Sequence, residues 1–279
     1  MPQSAPYDDI ADWYETEFLG TQRAFAKDRE FADSIGIDQA LVELLGTGEG
    51  LCLEVGCGTG VYAQRVGALG RAAIGVDISA GMLRHASDRL PVAQADGRHL
   101  PFSSQSIAAV VAVMIHTDIA DYASVVNEID RVLAPDGLFV HIGVHPCFCG
   151  DFADRSNSPS VVIRPGYLDA GWTVGLNPTS GETGHDGQVR KKVGAAHNPL
   201  GALVNTFVDA GFAIERFAEG GGPTPITLSI RMRKPGSPNA RPKLQLIAPT
   251  HTHVTWLAVD STSRLGNYES HDLRNAEDS

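Results

Sequence analysis

The sequence predicts an α/β protein built on a doubly wound, mainly parallel sheet of seven strands with helices on both faces. Three observations predict it. Short apolar segments alternate with amphipathic helical stretches from Leu51 onward, a rhythm that demands right-handed βαβ crossovers. The run from Ile107 to Ile115 is continuously apolar, as in a strand buried on both faces. A glycine-rich turn, Gly56-Cys57-Gly58-Thr59-Gly60, directly follows the first strand-like segment.

In chain order, the first ~45 residues read as helical. Ile10, Trp13 and Tyr14 share one helical face, and Asp38 is a suitable N-cap for a helix carrying Leu41, Leu44 and Leu45 that Gly46 can end. Strands are expected at Leu51–Val55, Ala73–Asp77, Val92–Ala95, Ile107–Ile115 and Leu138–Ile142. Between them lie a helix capped by Ser79, with Met82, Leu83, Ala86 and Leu90 in its stripe, and a helix from Asp121 to Leu133. The rhythm fails between His145 and His197, a stretch rich in Gly, Asp, Ser and Pro. It returns at Asn198-Pro199, read as an N-cap with proline at the first helical position. A helix through Phe207 and strands at Phe212–Phe217 and Ile226–Met232 follow.

This organisation gives a helical cap over 1–45, a main domain over 46–234 and a tail over 235–279. Within the main domain, 146–197 is expected to be an acceptor-site insertion or lid, because long irregular segments in regular folds are often functional, with disorder as the competing reading. The tail is Pro-, Ser- and Asn-rich, with one apolar stretch from Val254 to Val259, and reads as disordered or loosely attached. There are no internal repeats.

The chain has 279 residues, 43% hydrophobic and 20% charged, with a net charge of −11. That balance is ordinary for a globular protein and argues against nucleic acid as the main partner, which needs a basic face. The short basic runs Arg190-Lys191-Lys192 and Arg231 to Lys234 read as solvated surface. The four cysteines, Cys52, Cys57, Cys147 and Cys149, do not space like a secreted framework. The first residues do not resemble a signal peptide, and no apolar run reaches the ~18 residues of a membrane helix. A cytoplasmic enzyme without a membrane partner is expected.

The chemistry concentrates around Glu54-Val55-Gly56-Cys57-Gly58-Thr59-Gly60. Glycines at a strand end let the backbone turn tightly and approach a ligand where a Cβ would clash. The next helix N-terminus points N–H groups at whatever is bound, at the sheet edge where such folds take ligands. Asp77 ends the next strand seventeen residues after Gly60. A carboxylate there can accept hydrogen bonds from ribose hydroxyls; taken singly it is more often a helix cap, and the glycine loop at this spacing favours the ribose role. Asp96-Gly97 follows the third strand and could meet the edge of adenine, or form a plain Asp-Gly turn. Cys57 is expected to be a small packing residue.

His116 follows the fourth strand at the ligand edge and is the best-placed candidate for a catalytic base; its alternative is a packed histidine. His145 and His197 flank the irregular segment and are expected to be mainly structural. His141, His145, Cys147 and Cys149 invite a metal reading, but their spacing is not a standard zinc pattern, and no metal is expected.

Leu53 to Gly60 closely resembles the first motif of class I S-adenosylmethionine-dependent methyltransferases. Gly75-Val76-Asp77-Ile78-Ser79 with Met82-Leu83 looks like the second motif, and Asp96-Gly97 with Leu100-Pro101-Phe102 like the third. Arg131 to Gly137 is similar to the turn before the fifth strand, and Tyr7 to Tyr14 to the helix that covers the cofactor. The likeness runs from about residue 7 to 234, nearest the small-molecule, quinone-biosynthesis-like branch with its Rossmann-like sheet. It implies S-adenosylmethionine as cofactor. It implies that Glu54 positions the methionine amino group, that Gly56, Gly58 and Gly60 contact the cofactor, and that Asp77 holds the ribose. Ile78 and Met82 would flank adenine, Asp96 with Gly97 would meet its amino group, and the run from Ala112 to His116 would lie beside the reactive methyl. The long segment after strand five and the tail depart from the family and leave the acceptor, a small molecule, undefined; the oligomeric state is likewise open.

Two other functions fit parts of the pattern. Gly58-Thr59-Gly60-Val61-Tyr62-Ala63 fits the fingerprint of a nicotinamide-dependent, NAD(P)-binding oxidoreductase. Glu54-Val55-Gly56 and Asp96-Gly97 before Leu100-Pro101 favour methyl transfer over it. A non-catalytic cofactor-binding scaffold on the same fold is the second alternative.

Overall fold

Parallel strands joined by helices need each strand to be apolar on both faces, and this chain supplies them in five successive segments. The computed structural model describes residues 5–20, 35–156, 160–173 and 185–236, with the backbone alone described for 185–188. The strands are β1 Leu51–Val55, β2 Ala72–Asp77, β3 Val92–Gln94, β4 Ile107–Val113 and β5 Leu133–Val144. The short pieces β6 Ala153–Asp154, β7 Val162–Ile163, β8 Gly171–Thr173 and β9 Ala195–His197 follow, then β10 Ala213–Gly220 and β11 Thr227–Arg233.

Seven of these form one sheet in the order β10-β11-β5-β4-β1-β2-β3. β1 to β5 pair in parallel; β11 runs antiparallel to both β5 and β10. The expected doubly wound, mainly parallel sheet is therefore present, with an antiparallel edge. The chain winds outward from β1 through β2 to β3, then crosses to β4 and β5 on the other side. That reversal lies between β1 and β4, where Val55 is registered against Ala112. Strand ends diverge at such a switch point and leave a crevice.

Two apolar layers cover the sheet. On one face Leu53, Val55, Val110, Phe139 and Ile230 pack with Val125, Ile129, Leu203 and Phe207 from the helices Tyr122–Val132 and Leu200–Asp209. On the other, Cys52, Val111, Val140 and Ile142 pack with Ile37, Leu41, Leu44 and Leu45. Alternation along β5 divides its residues between the layers: Phe139 belongs to the first, Val140 and Ile142 to the second.

Several local expectations shift. The helix at 37–45 begins at Ile37 behind Gly36, whose φ is +78°. Asp38 does not cap it; its carboxylate instead pairs with Arg65 at 2.5 Å. Gly46 ends it at φ +63°, as expected. Pro199, not Asn198, is the residue before the Leu200–Asp209 helix, since a proline φ suits either position. β5 starts at Leu133, five residues before the expected strand, because Leu133 already pairs with Ile107.

The segment 146–197 is not featureless. β6 pairs with β7 and β8 with β9, both antiparallel, and a helix spans His185–Val193. Residues 157–159 and 174–184 of this segment, residues 1–4 and 21–34 of the expected cap, and 237–279 of the expected tail with Val254 to Val259 lie outside the described residues.

Candidate functional site

The crevice is bordered by the turns that follow β1, β2, β3 and β4. After β1, Gly56, Gly58 and Gly60 adopt φ values of +68°, +53° and +74°, a region costly to residues with a Cβ. A Cβ on Gly56 would stand 2.4 Å from Ile115, and one on Gly60 would stand 2.5 Å from Leu90. A Cβ on Gly58 would meet nothing within 4 Å. Two of the three glycines thus let the loop pack onto its own protein, while Gly58 faces open space. Cys57 is buried beside Gly75, where an added Cβ would lie 2.6 Å from its Sγ; this is the packing role expected of it.

Asp77 organises the loop. Its Oδ2 accepts the Gly58 N–H at 2.8 Å and its Oδ1 accepts the Ser79 N–H at 2.9 Å. Burial raises its pKa, against the lowering effect of those N–H groups. A carboxylate with one bond on each oxygen keeps lone pairs for further donors.

Glu54 is 2% exposed at the end of β1, and its Oε2 has no hydrogen-bond partner among the described residues. Burial first, and then the charge of Asp77, push its pKa up to about 8. A buried carboxyl is costly unless a donor or cation meets it.

Beyond β2, Ile78 is 51% exposed, unusual for an isoleucine beside a crevice, while Met82 is buried in the helix that Ser79 caps by accepting its N–H at 3.1 Å. Of the two residues expected to flank adenine, only Ile78 presents an open apolar surface. Asp96 is held by its neighbour: its oxygens accept from the Arg98 backbone and guanidinium at 2.6–3.1 Å, and these bonds lower its pKa. A Cβ on Gly97 would lie 3.2 Å from Val55, so that turn is packed close to the loop strand.

The run after β4 divides. Ala112 is fully buried in the core layer, inside the strand and not at its open end. Met114 turns the chain at φ +61°, Ile115 packs under Gly56, and His116 is buried. The His116 Nδ1 has no partner among the described residues. Burial, followed by the nearby His141, Arg190 and His197, holds its pKa well below the usual histidine value.

Two residues further, Asp118 accepts the Tyr7 hydroxyl at 3.0 Å and is paired with Arg190. Burial raises the Asp118 pKa, opposed by Arg190 and then Tyr7. The Arg190 run, expected to be solvated, is thus partly a tertiary contact. Tyr7 and Arg190 belong to two segments that share an apolar cluster of Ile10, Phe18, Leu19, Val189 and Val193, with Val61 of the glycine loop packed against it. On the other side Asp8 accepts from the Ser79 hydroxyl at 2.7 Å and the Gly81 N–H at 2.9 Å.

In the insertion, Phe152 and Tyr167 pack against the His197 ring at 4.9 and 5.7 Å. The His197 Nε2 lies 2.7 Å from the Tyr167 carbonyl, and the His145 Nε2 lies 2.8 Å from Glu219. Both histidines therefore make structural contacts. Trp172 is 43% exposed. Asp118, Tyr7 and Arg190 were not singled out from sequence as a group; the only local signal was a carboxylate two residues past His116 at the ligand edge.

Fold and crevice together define a doubly wound α/β protein with a glycine loop at its switch point. Residues 53–141 match the family model described as a methyltransferase domain. Over 97 residues the chain is 36% identical to the uncharacterized methyltransferase YodH of Bacillus subtilis, covering 32% of this chain and 41% of that protein. Over 86 residues it is 34% identical to a demethylmenaquinone methyltransferase of Corynebacterium urealyticum, covering 30% of this chain and 37% of that one. The matched region therefore spans about two fifths of the length of these curated relatives. The structure of an S-adenosylmethionine-dependent methyltransferase from Mesorhizobium loti shares the fold, with a TM-score of 0.55 and 21% identity over 70% of this chain and 95% of that one. Residues 53–141 thus carry a methyltransferase domain, on the fold of S-adenosylmethionine-dependent methyltransferases, a class whose cofactor is S-adenosylmethionine. The residues present fit this group: an unpartnered buried carboxyl at Glu54 suits an ammonium, and open space over Gly58 suits a ligand.

Proposed function

We propose that the protein transfers the methyl group of S-adenosylmethionine to a small-molecule acceptor. The observation that carries this reading is the unpartnered, buried Glu54 carboxyl beside the glycine loop that Asp77 holds open. Glu54 receives the ammonium of the methionine moiety. Gly56, Gly58 and Gly60 let the backbone come close. Asp77, already accepting two N–H groups, takes the ribose hydroxyls on its remaining lone pairs. Ile78 covers one face of adenine, with Met82 fixing the helix behind it, and Asp96 with Gly97 borders its edge. The cofactor supplies an electrophilic methyl on a sulfonium that is already a good leaving group.

What the protein adds is alignment and exclusion of water. Holding two reactants in line replaces a bimolecular encounter and is worth several kcal/mol. The N-terminal helical run and the insertion helix, joined at Asp118, cover the crevice, and His116 stands where the acceptor enters. The insertion over 146–197 sets acceptor choice in this reading, and Ala112 supports the floor of the site from within β4. A net charge of −11 supports a small molecule over nucleic acid. No helix among the described residues is long and apolar enough to cross a membrane; the four free cysteines support a reducing, cytoplasmic setting.

Calorimetry with S-adenosylmethionine, followed by incubation of metabolite extracts with methyl-labelled cofactor, tests this. Binding with transfer of label to a small molecule is expected. Binding without any transfer would favour a cofactor-binding scaffold, and absence of binding would overturn the proposal.

A further inference from the structure

His116 stands at the end of a row of polar groups inside the apolar core. Tyr122 opens the Tyr122–Val132 helix, and its hydroxyl lies 2.9 Å from the His141 Nδ1. His141 is completely buried in β5, on the face that carries Phe139, with its ring 5.2 Å from that of Phe207. Two residues on is Gly143, on the same face. A Cβ there would lie 2.3 Å from the His116 Nδ1 and 2.9 Å from the His141 Nε2. The two nitrogens flank one small space above Gly143, the rings 5.1 Å apart. Both nitrogens are buried, and neither has a partner among the described residues.

Hydrogen counting decides the tautomers. Among the described residues the Tyr122 O–H has only the His141 Nδ1 to accept it, which assigns no proton to Nδ1 of His141 and one to its Nε2. That Nε2–H faces the His116 Nδ1. A small turn of the His116 ring, or one water above Gly143, lets it donate there. His116 Nδ1 is then an acceptor, and its proton sits on Nε2. The opposite arrangement would leave the tyrosine proton without an acceptor in the core, which is costly.

We propose that Tyr122 and His141 are positioning residues that fix His116 as its Nε2–H tautomer, so that His116 serves the acceptor as a hydrogen-bond donor to an oxygen and not as a base. Burial disfavours the charged form of both rings, His141 being pushed down to about 3, and Arg190 and His197 add to the effect at His116. A donor fixed in an apolar setting favours an oxyanion. The acceptor class is therefore a phenolate or enolate that has already lost its proton to solvent. Its nucleophilic atom bonds to the methyl carbon as the carbon–sulfur bond breaks and that electron pair stays on sulfur; no proton moves to the protein. The acceptor class rests on the methyl-transfer reading, whereas the tautomer does not.

The test is nitrogen NMR of the full chain labelled at histidine, with S-adenosylmethionine binding measured by calorimetry on the same sample. Both rings are expected to be neutral, with the proton on Nε2 and the unprotonated Nδ1 far downfield. Tyr122→Phe should move His141 to a mixture of tautomers. A proton on the His116 Nδ1, or a doubly protonated ring, in the wild-type chain would overturn the proposal even if the variant failed to fold. Absence of cofactor binding with the expected tautomers would overturn the methyl-transfer reading alone. On the acceptor found by the labelled screen, His116→Gln, which keeps an N–H near the Nε2 position, should retain at least about tenfold more activity than His116→Ala. Equal loss in both variants would overturn the donor role.

Discussion

Arg190 of the insertion helix pairs with Asp118, two residues beyond His116 on the loop after β4. The same carboxylate accepts the hydroxyl of Tyr7 from the N-terminal helical run. Two segments that are far apart in sequence therefore meet on one carboxylate just past β4. They also share an apolar cluster, and Lys192 lies 4.9 Å above the Trp13 ring. The two segments pack on each other, so loosening one should loosen the other.

Arg190→Met tests that. It leaves Asp118 with Tyr7 and without its cation. Both partners are less than a quarter exposed, so the loss should be about 1–3 kcal/mol. Hydrogen exchange should quicken together in residues 8–18 and 185–193, while β1 and β4 keep their protection. Faster exchange confined to 185–193 would mean that the two segments are independent.

The glycine loop gives a split prediction. Gly56→Ala places a methyl 2.4 Å from Ile115 at φ +68°. Backbone strain of about 1–2 kcal/mol adds to overpacking of about 1–3 kcal/mol, so the melting temperature should fall clearly. Gly58→Ala meets open space and carries the strain alone. It should melt closer to wild type yet bind S-adenosylmethionine more weakly, because its methyl occupies the space left for the ligand. Scanning calorimetry and titration on both variants would show this, and equal melting losses would refute the difference in packing.

The loop, Asp77 and the position of His116 were legible in the sequence because they depend on local backbone rules: glycine at positive φ, a carboxylate ending a strand, a polar residue just past an apolar run. The sheet was legible for the same reason. What escaped were contacts set by tertiary register. His141 reads as one more residue of an apolar strand, and only the pairing of β5 with β4 brings it opposite Ala112 and near His116. Arg190 reads as part of a solvated basic run, and its partner lies 72 residues away. Asp38 reads as a cap because nothing local announces Arg65. Phe152 and Tyr167 pack on His197 within the insertion, contacts that no local pattern announces.

Asp77→Ala should weaken S-adenosylmethionine binding by about 1–3 kcal/mol, the usual consequence of removing one partner of a buried hydrogen bond. It also strips the acceptor from the Gly58 and Ser79 N–H groups, so loop order should decline with affinity. Asp77→Asn keeps one acceptor oxygen and should fall between wild type and alanine. Unchanged affinity in a folded Asp77→Ala protein, measured by calorimetry, would remove the ribose assignment.

The pH dependence turns on Glu54. Its pKa is raised from 4.5 to about 8 by burial and then by Asp77, so between those values the folded chain holds a proton that the unfolded chain releases. The stability contributed by this group is fully present below about pH 4.5 and drains away as pH climbs through about 8. Glu54→Gln should remove that slope and melt above wild type on the alkaline side. Cofactor binding runs the other way, because an ammonium against Glu54 favours the ionised carboxylate and expels the proton. Affinity should therefore rise with pH by up to about tenfold per unit below neutrality. It should level off once the α-amino group of the ligand begins to lose its own proton near about 7.7–8.0. Titration calorimetry in two buffers of different ionisation enthalpy reads the proton count directly. Proton release at pH 7 that disappears in Glu54→Gln is expected; proton uptake, or the same release in both proteins, would show that Glu54 is not the group that meets the ammonium.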